Sequence, residues 1–213
     1  MAISKITHYF DYKSPYAYLA QADTFQLQED YDVEIDWLPY TLDIPSFLGS
    51  AEVDAAGQVL RESRNAHQWR RVKYSYMDCR REANRRGLVI RGPQKIFDSS
   101  IAHIGMLYAK HRGDFRAYHN ALYERFWRRE LDIENPEVVQ RVLKDVGVDT
   151  SGFLDYLSGE GRQEHDRLRS AAEEMGVFGV PSYLVNGELF WGNERVIRVQ
   201  EKLEQGGLRR KGR

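Results

Sequence analysis

A single cysteine, Cys79, stands in the whole chain, so no intramolecular disulfide, no dithiol redox pair and no cysteine-built zinc site can form within it. No apolar run approaches the roughly 18 residues that a membrane-spanning helix needs. The N-terminus enters a strand-like segment directly, without the basic and apolar stretches of a secretory leader, so a cytoplasmic protein is expected. Neither sign of charge is in excess: 31 Lys and Arg face 32 Asp and Glu, which removes the general electrostatic case for nucleic acid or an anionic membrane as partner. The histidines (His8, His67, His103, His111, His119 and His165) show no metal-ligand spacing on a common helix face. The nearest approach is His103 and His111, and neither a metal nor a histidine general base is expected. Internal repeats and low-complexity segments are lacking too.

What is present is the composition of an ordinary globular protein, 42% hydrophobic and 30% charged over 213 residues, long enough to bury a sizeable core. One local bias stands out. Residues 61–91 carry ten Arg and Lys against Glu62, Asp78 and Glu82, which reads as the solvated face of a helix or as an anion-facing surface. Cys79 falls in this charged stretch and reads as a structural thiol. The tail Arg209–Arg213 is expected to fray.

Residues 3–11 are rich in β-branched and aromatic side chains and read as a buried strand. Ser14-Pro15 follows, a serine at an N-cap with proline at the first helical position, and predicts a helix over 15–29. Val33–Leu38 predicts a second strand, parallel to the first through a right-handed crossover. From about 45 to 170 the pattern is helical with no convincing strand; helices are expected over 52–64, 66–86, 98–112, 114–128, 135–146, 151–157 and 160–175. The end returns to β-structure: Ser182–Val185 and Glu188–Trp191 flank Asn186-Gly187, a strong hairpin signal, and a closing helix covers 194–204. The order β-α-β, helices, β-β-α fits an α/β, thioredoxin-like fold made of residues 1–44 and 176–213, carrying a helical insertion over 45–175.

Three places can carry chemistry. Ser14 sits where strand hands over to helix, and unpaired N–H groups and the helix dipole there favour an anion; on local sequence alone the Ser-Pro pair is well explained by capping, the favoured reading. Val180-Pro181 enters a strand beside a glycine-rich turn. A cis bond there would leave Val180 able to pair with an extended peptide, and a trans-proline at a strand start is the alternative. In Trp191-Gly-Asn-Glu-Arg195, Asn193 and Glu194 can cap the last helix or hold a ligand's amino group.

These segments carry a resemblance. Phe10-Asp-Tyr-Lys-Ser14-Pro-Tyr-Ala-Tyr-Leu-Ala20, Gly176-Val-Phe-Gly-Val-Pro181-Ser-Tyr and Phe190-Trp-Gly-Asn-Glu-Arg195 resemble the opening and closing motifs of 2-hydroxychromene-2-carboxylate isomerases and kappa-class glutathione transferases. Those proteins form part of the DsbA-like branch of the thioredoxin superfamily. Tyr74 with Asp78, Arg81 and Ala83, and Phe115 through Asp132, resemble the family's middle, so the likeness covers nearly the whole chain in order.

The resemblance implies a thioredoxin fold with a helical insertion, a homodimer, and glutathione as cofactor. Ser14 takes the place of the first redox cysteine and favours the thiolate of bound glutathione; Val180, before Pro181, pairs with the glutathione backbone; Asn193 and Glu194 face its γ-glutamyl end. The family's lysine falls on Arg71 and its asparagine nearest to Asn65. Glu194 stands where the family has aspartate, and Lys13 before Ser14 is not its usual residue. The implied activity is isomerisation or transfer on small, often aromatic, electrophiles by addition and elimination of the thiolate. A thioredoxin-like binding or structural protein without catalysis is the competing reading.

Overall fold

The computed structural model describes residues 5–210, so Ile3 and Ser4 of the expected first strand and the last three residues of the tail lie outside it. Alternation along β1 (Lys5–Phe10) sends Ile6, His8 and Phe10 to one face, all buried. β1 pairs in parallel with β2 (Glu34–Pro39), opposing His8 to Trp37. On its other side it runs antiparallel to a late strand, residues Ser182–Val185, opposing His8 to Tyr183. The intervening α1 (Pro15–Asp30) is buried over Ala17–Ala20 and at Thr24, Phe25 and Leu27. Its one polar core side chain is satisfied locally: Thr24 Oγ1 donates to the Ala20 carbonyl and lies 2.8 Å from the Tyr183 hydroxyl.

The chain divides into two compact units, residues 1–40 with 167–213, and residues 41–166. The first holds the four-stranded sheet. Strands one and two flank each other as expected, and the late strand leads through a tight hairpin to the sheet's last edge, Glu188–Trp191. Asn186 and Gly187 have φ of 48° and 82°, the left-handed pair that a two-residue hairpin requires and that Asn-Gly supplies at least cost. A core of aromatic rings covers the sheet: Trp37 lies 4.5 Å from Phe25 and 4.7 Å from His8 by ring centroids. The expected fraying of the tail does not hold at its start. Arg209 bridges Tyr31, and the Arg210 N–H donates to the Asp30 carbonyl at 2.9 Å.

The second unit corrects the reading that it contains no strand. After a short helix α2 (Ile44–Leu48), residues 51–62 form a hairpin of β3 (Ala51–Val53) and β4 (Val59–Glu62), not the expected helix. The reason is the turn. Gly57 takes φ +83° and the Asp54 carboxylate accepts the Gln58 N–H at 2.8 Å, so the chain reverses where alanines and leucine suggested helix. The remaining helices fall where periodicity placed them: α3 (Ala66–Arg85), α4 (Ser100–Lys110), α5 (Phe115–Trp127), α6 (Pro136–Asp145), α7 (Phe153–Ser158) and α8 (Glu160–Glu174), the last crossing the division between units. α4 is the unit's central helix, buried on nearly every side and packed against α5, α6 and α7. Returning to the first unit, the late strands are β5 (Ser182–Val185) and β6 (Glu188–Trp191). A 3₁₀ turn over Asn193–Arg195 and α9 (Val196–Gln205) complete the chain. Among the described residues no helix is long and apolar enough to cross a membrane.

Candidate active site

Ser14 ends the loop after β1 in an extended conformation, with φ −91° and ψ 113°, and α1 starts at Pro15. The Ala17 N–H donates to Ser14 Oγ at 3.3 Å, which satisfies one of the orphan donors of the first turn. The hydroxyl's second neighbour comes from the far end of the chain: Ser14 Oγ lies 3.5 Å from the Val180 carbonyl oxygen. That distance is long for a hydroxyl donating to a carbonyl. Both of the serine's contacts are long, 3.3 Å as acceptor and 3.5 Å as donor. Ser14 is 5% exposed.

The Val180–Pro181 peptide bond is cis, not the trans alternative left open by the sequence. The loop leading to it is held by close contacts. Gly179 lies under the Trp191 indole so tightly that a Cβ there would come within 2.6 Å of Nε1. The Pro181 carbonyl accepts the Gly192 N–H at 2.9 Å. Phe178 and Trp191 stack edge to face at 4.8 Å with both rings more than half exposed. The 3₁₀ turn that carries Asn193 and Glu194 packs against α1. Gly192, at φ +123°, allows the Glu194 carboxylate to fold back over it, where a Cβ would meet Oε2 at 2.8 Å. Arg195 pairs with Glu194 at 3.6 Å in a solvated setting.

The first unit thus brings together Ser14, Val180 and Pro181, with Asn193 and Glu194 on the neighbouring turn. Arg71 and Asn65 belong to α3 of the second unit. Asn65 is the N-cap of that helix: its amide oxygen accepts the Gln68 N–H, and the Gln68 side chain accepts the Asn65 N–H, both at 2.9 Å. Arg71 is an exposed position two turns into the same helix. Cys79, fully buried, faces the packed side of α3.

The sequence reading missed a buried polar chain in the second unit. Thr41 Oγ1 lies 2.7 Å from His103 Nδ1 and 2.9 Å from His165 Nε2, and His165 Nδ1 lies 3.0 Å from the Asp166 carboxylate. The Asp166 contact places a proton on His165 Nδ1. The neutral ring then accepts from Thr41, whose oxygen accepts from His103. Burial pushes the His165 pKa down against the opposing pull of Asp166. Partners 62 and 124 positions apart leave no local spacing to read. His111, paired with His103 in sequence, instead meets Glu164 at 2.9 Å.

A parallel β-α-β start and an antiparallel β-β-α finish define a thioredoxin-like domain, in which Ser14 and the cis Val180–Pro181 bond meet at the first turn of α1. The chain belongs to the DSBA-like thioredoxin domain family, which matches residues 5–204. It is 30% identical over 199 residues to the 2-hydroxychromene-2-carboxylate isomerase of Sphingobium xenophagum, spanning 93% of this chain and 97% of that one. It is 28% identical to the protein of the same name from Pseudomonas putida, over 93% of each. The solved structure of a 2-hydroxychromene-2-carboxylate isomerase is also similar, with a TM-score of 0.73 at 25% identity, covering 94% of this chain and 95% of that one. These relatives support an enzyme with isomerase activity.

Proposed function

We propose that the protein is a glutathione-dependent isomerase that acts on small aromatic electrophiles of the 2-hydroxychromene-2-carboxylate type. The observation that carries this reading is the meeting of the Ser14 hydroxyl with the Val180 carbonyl at the first turn of α1. Glutathione, when bound, supplies a thiolate that can add reversibly to a conjugated carbonyl. The chain's own residues fit such a group. Ser14 has a hydroxyl proton held only by the 3.5 Å contact, and the start of α1 favours negative charge. Val180, before the cis-proline, offers main-chain groups to an extended peptide. The Glu194 carboxylate and the Asn193 amide would take the γ-glutamyl ammonium and carboxylate end.

Arg71 and Asn65 complete the proposed ligand set on the strength of the sequence match. Arginine keeps the charge of the family's lysine while changing its geometry. The substrate is a small electrophile, with neither nucleic acid nor membrane as partner, and the cytoplasm is the compartment that supplies the thiol. A homodimer belongs to the same reading. In the second unit Val59 and Leu60 on β4, and Tyr74 and Met77 on α3, leave apolar surface exposed of the kind that subunit contacts cover.

Titration of the pure protein with glutathione, followed by calorimetry and by thiolate absorbance near neutral pH, tests the proposal. Saturable binding with a rise in thiolate is expected. Absence of binding at millimolar glutathione overturns it and leaves a non-catalytic binding module.

A further inference from the structure

Helix α5 ends on a residue that helix ends seldom carry. Past Trp127 the Arg129 N–H donates to the Phe126 carbonyl and the Glu130 N–H to the Arg125 carbonyl, both at 2.9 Å. This pair of bonds closes a helix through one left-handed residue, here Arg129 at φ +62°. The same bonds close α3 and α6, where the left-handed position holds Gly87 and Gly147. Asn186, the other non-glycine at positive φ among the described residues, sits in a hairpin turn that asparagine suits. A Cβ in the left-handed region is strained, and nothing in the helix end calls for one. A side chain kept against that strain directs attention to what the side chain does.

Arg129 lines a cavity of about 290 Å³ that lies wholly in the second unit. Its Nε donates to the Gly92 carbonyl at 2.6 Å, which restrains the guanidinium plane. The segment around Gly92 is held in turn: the Arg91 N–H donates to the Trp127 carbonyl and the Val53 N–H to the Gln94 carbonyl, both at 2.8 Å. The two terminal nitrogens of Arg129 have no partner among the described residues. Phe97 and Phe126, in the same lining, meet edge to face at 5.6 Å. Lys95 adds no second free cation, because its ammonium is paired with Glu134 and lies 4.8 Å from the Phe97 ring centre. Glu130 and Asp132 also line the cavity, and the Asp132 carboxylate accepts the Glu134 N–H at 3.0 Å. One free guanidinium beside two carboxylates suits a single negative charge and opposes a polyanion. Two phenyl rings suit a flat apolar body.

We propose that this cavity binds a small aromatic carboxylate, with its ring against Phe97 and Phe126 and its carboxylate on the terminal nitrogens of Arg129. The volume admits a single substituted ring rather than a larger ligand. Bidentate pairing with a carboxylate is a geometry that arginine supplies and lysine does not. The inference stands on the second unit alone and holds whether or not glutathione binds at Ser14.

Calorimetric titration of the full chain with benzoate, in the absence of glutathione, tests it. Saturable binding at millimolar benzoate is expected. Benzamide, a neutral molecule of the same shape, and inorganic phosphate should each bind at least about tenfold more weakly, the order expected for a hydrogen bond between charged groups. Arg129→Gly removes the fork and supplies the residue that this backbone favours. It should weaken benzoate by a similar factor without lowering the melting temperature, a combination that damage to the fold cannot produce. Arg129→Lys keeps the charge and should still lose most of the affinity. If Arg129→Gly melts below the parent, the lysine variant decides, and unchanged benzoate affinity there overturns the proposal. Absence of benzoate binding in the parent, equal affinity in Arg129→Gly, or phosphate bound as tightly as benzoate overturns it too, and leaves Arg129 as a helix cap tied to Gly92.

Discussion

The Ser14 hydroxyl oxygen lies 3.5 Å from the Val180 carbonyl oxygen although 166 positions separate the two residues in sequence. The contact joins the first turn of α1 to the cis-proline loop, the two segments from which a thioredoxin-type site is made. The same hydroxyl oxygen accepts the Ala17 N–H. Ser14 therefore has a capping role beside the one proposed for it toward a thiolate, and substitutions can separate them.

Ser14→Ala is expected to lose both functions: about 1 kcal/mol of stability through the cap, and the rise in thiolate absorbance on adding glutathione. Ser14→Gly serves as the control, since glycine at an N-cap costs only a few tenths of a kcal/mol. It should keep nearly the full denaturation midpoint and still lose the thiolate signal. A thiolate signal equal to the parent's in either variant would show that the serine only caps the helix.

His8 gives a pH prediction. Its ring is fully buried between Trp37, Phe10 and Tyr183, and burial pushes its pKa from 6.5 down to about 3. The folded state thus holds the ring neutral, whereas the unfolded state takes up a proton below its ordinary pKa. Stability contributed by the neutral ring is complete above that pKa and falls as pH drops from about 6.5 toward 3, by at most about 1.4 kcal/mol per pH unit. Denaturant midpoints measured from pH 7 to pH 4 should decline less steeply in His8→Leu than in the parent. Parallel declines would mean that other groups control the acid limb.

Elements with strong local signals were legible in the sequence. Ser14-Pro15 marked the start of α1, Asn186-Gly187 marked the β5–β6 hairpin, and alternation marked β1. The region around 51–62 was misread because its alanines, leucine and glutamates favour helix while the deciding contact, Gln58 N–H to the Asp54 carboxylate, becomes visible only in three dimensions. At the site, local pattern marked each of Ser14, Val180-Pro181 and Asn193-Glu194 but left two readings for every one. The fold, by bringing Val180 onto Ser14, supplies a relation between the first two. The His103–Thr41–His165 chain had no signal at all, since no helix face or loop contains more than one of its members.

Thr41 is the hinge of that chain, accepting from one imidazole and donating to the other over 2.7 and 2.9 Å. Thr41→Val keeps the shape and removes the hydroxyl, leaving the facing nitrogens of two buried histidines without this partner. A loss of about 1–3 kcal/mol is expected. Thr41→Ser restores the oxygen and should recover most of it. Urea unfolding of the three proteins at pH 7 checks this, and equal midpoints for valine and serine would show that the hydroxyl contributes nothing to the helical unit.

Gly192 and Glu194 form the last pair to be separated. Gly192 sits at φ +123°, where a side chain is strained, and its missing Cβ leaves the space into which the Glu194 carboxylate folds, 2.8 Å from where that Cβ would be. Gly192→Ala is therefore expected to destabilise the protein by more than about 1 kcal/mol and to drive the carboxylate away, weakening glutathione binding as well. Glu194→Gln preserves the turn and the side-chain length while removing the charge. If Glu194 holds an ammonium group, its loss should weaken glutathione binding about tenfold, the order expected for a hydrogen bond to a charged partner, with the melting temperature unchanged because the side chain is largely solvated. A glutathione analogue lacking the ammonium should bind the parent and Glu194→Gln equally. Should the variant instead discriminate between glutathione and that analogue as strongly as the parent does, the ammonium is recognised by another group and Glu194 serves only to shape the turn.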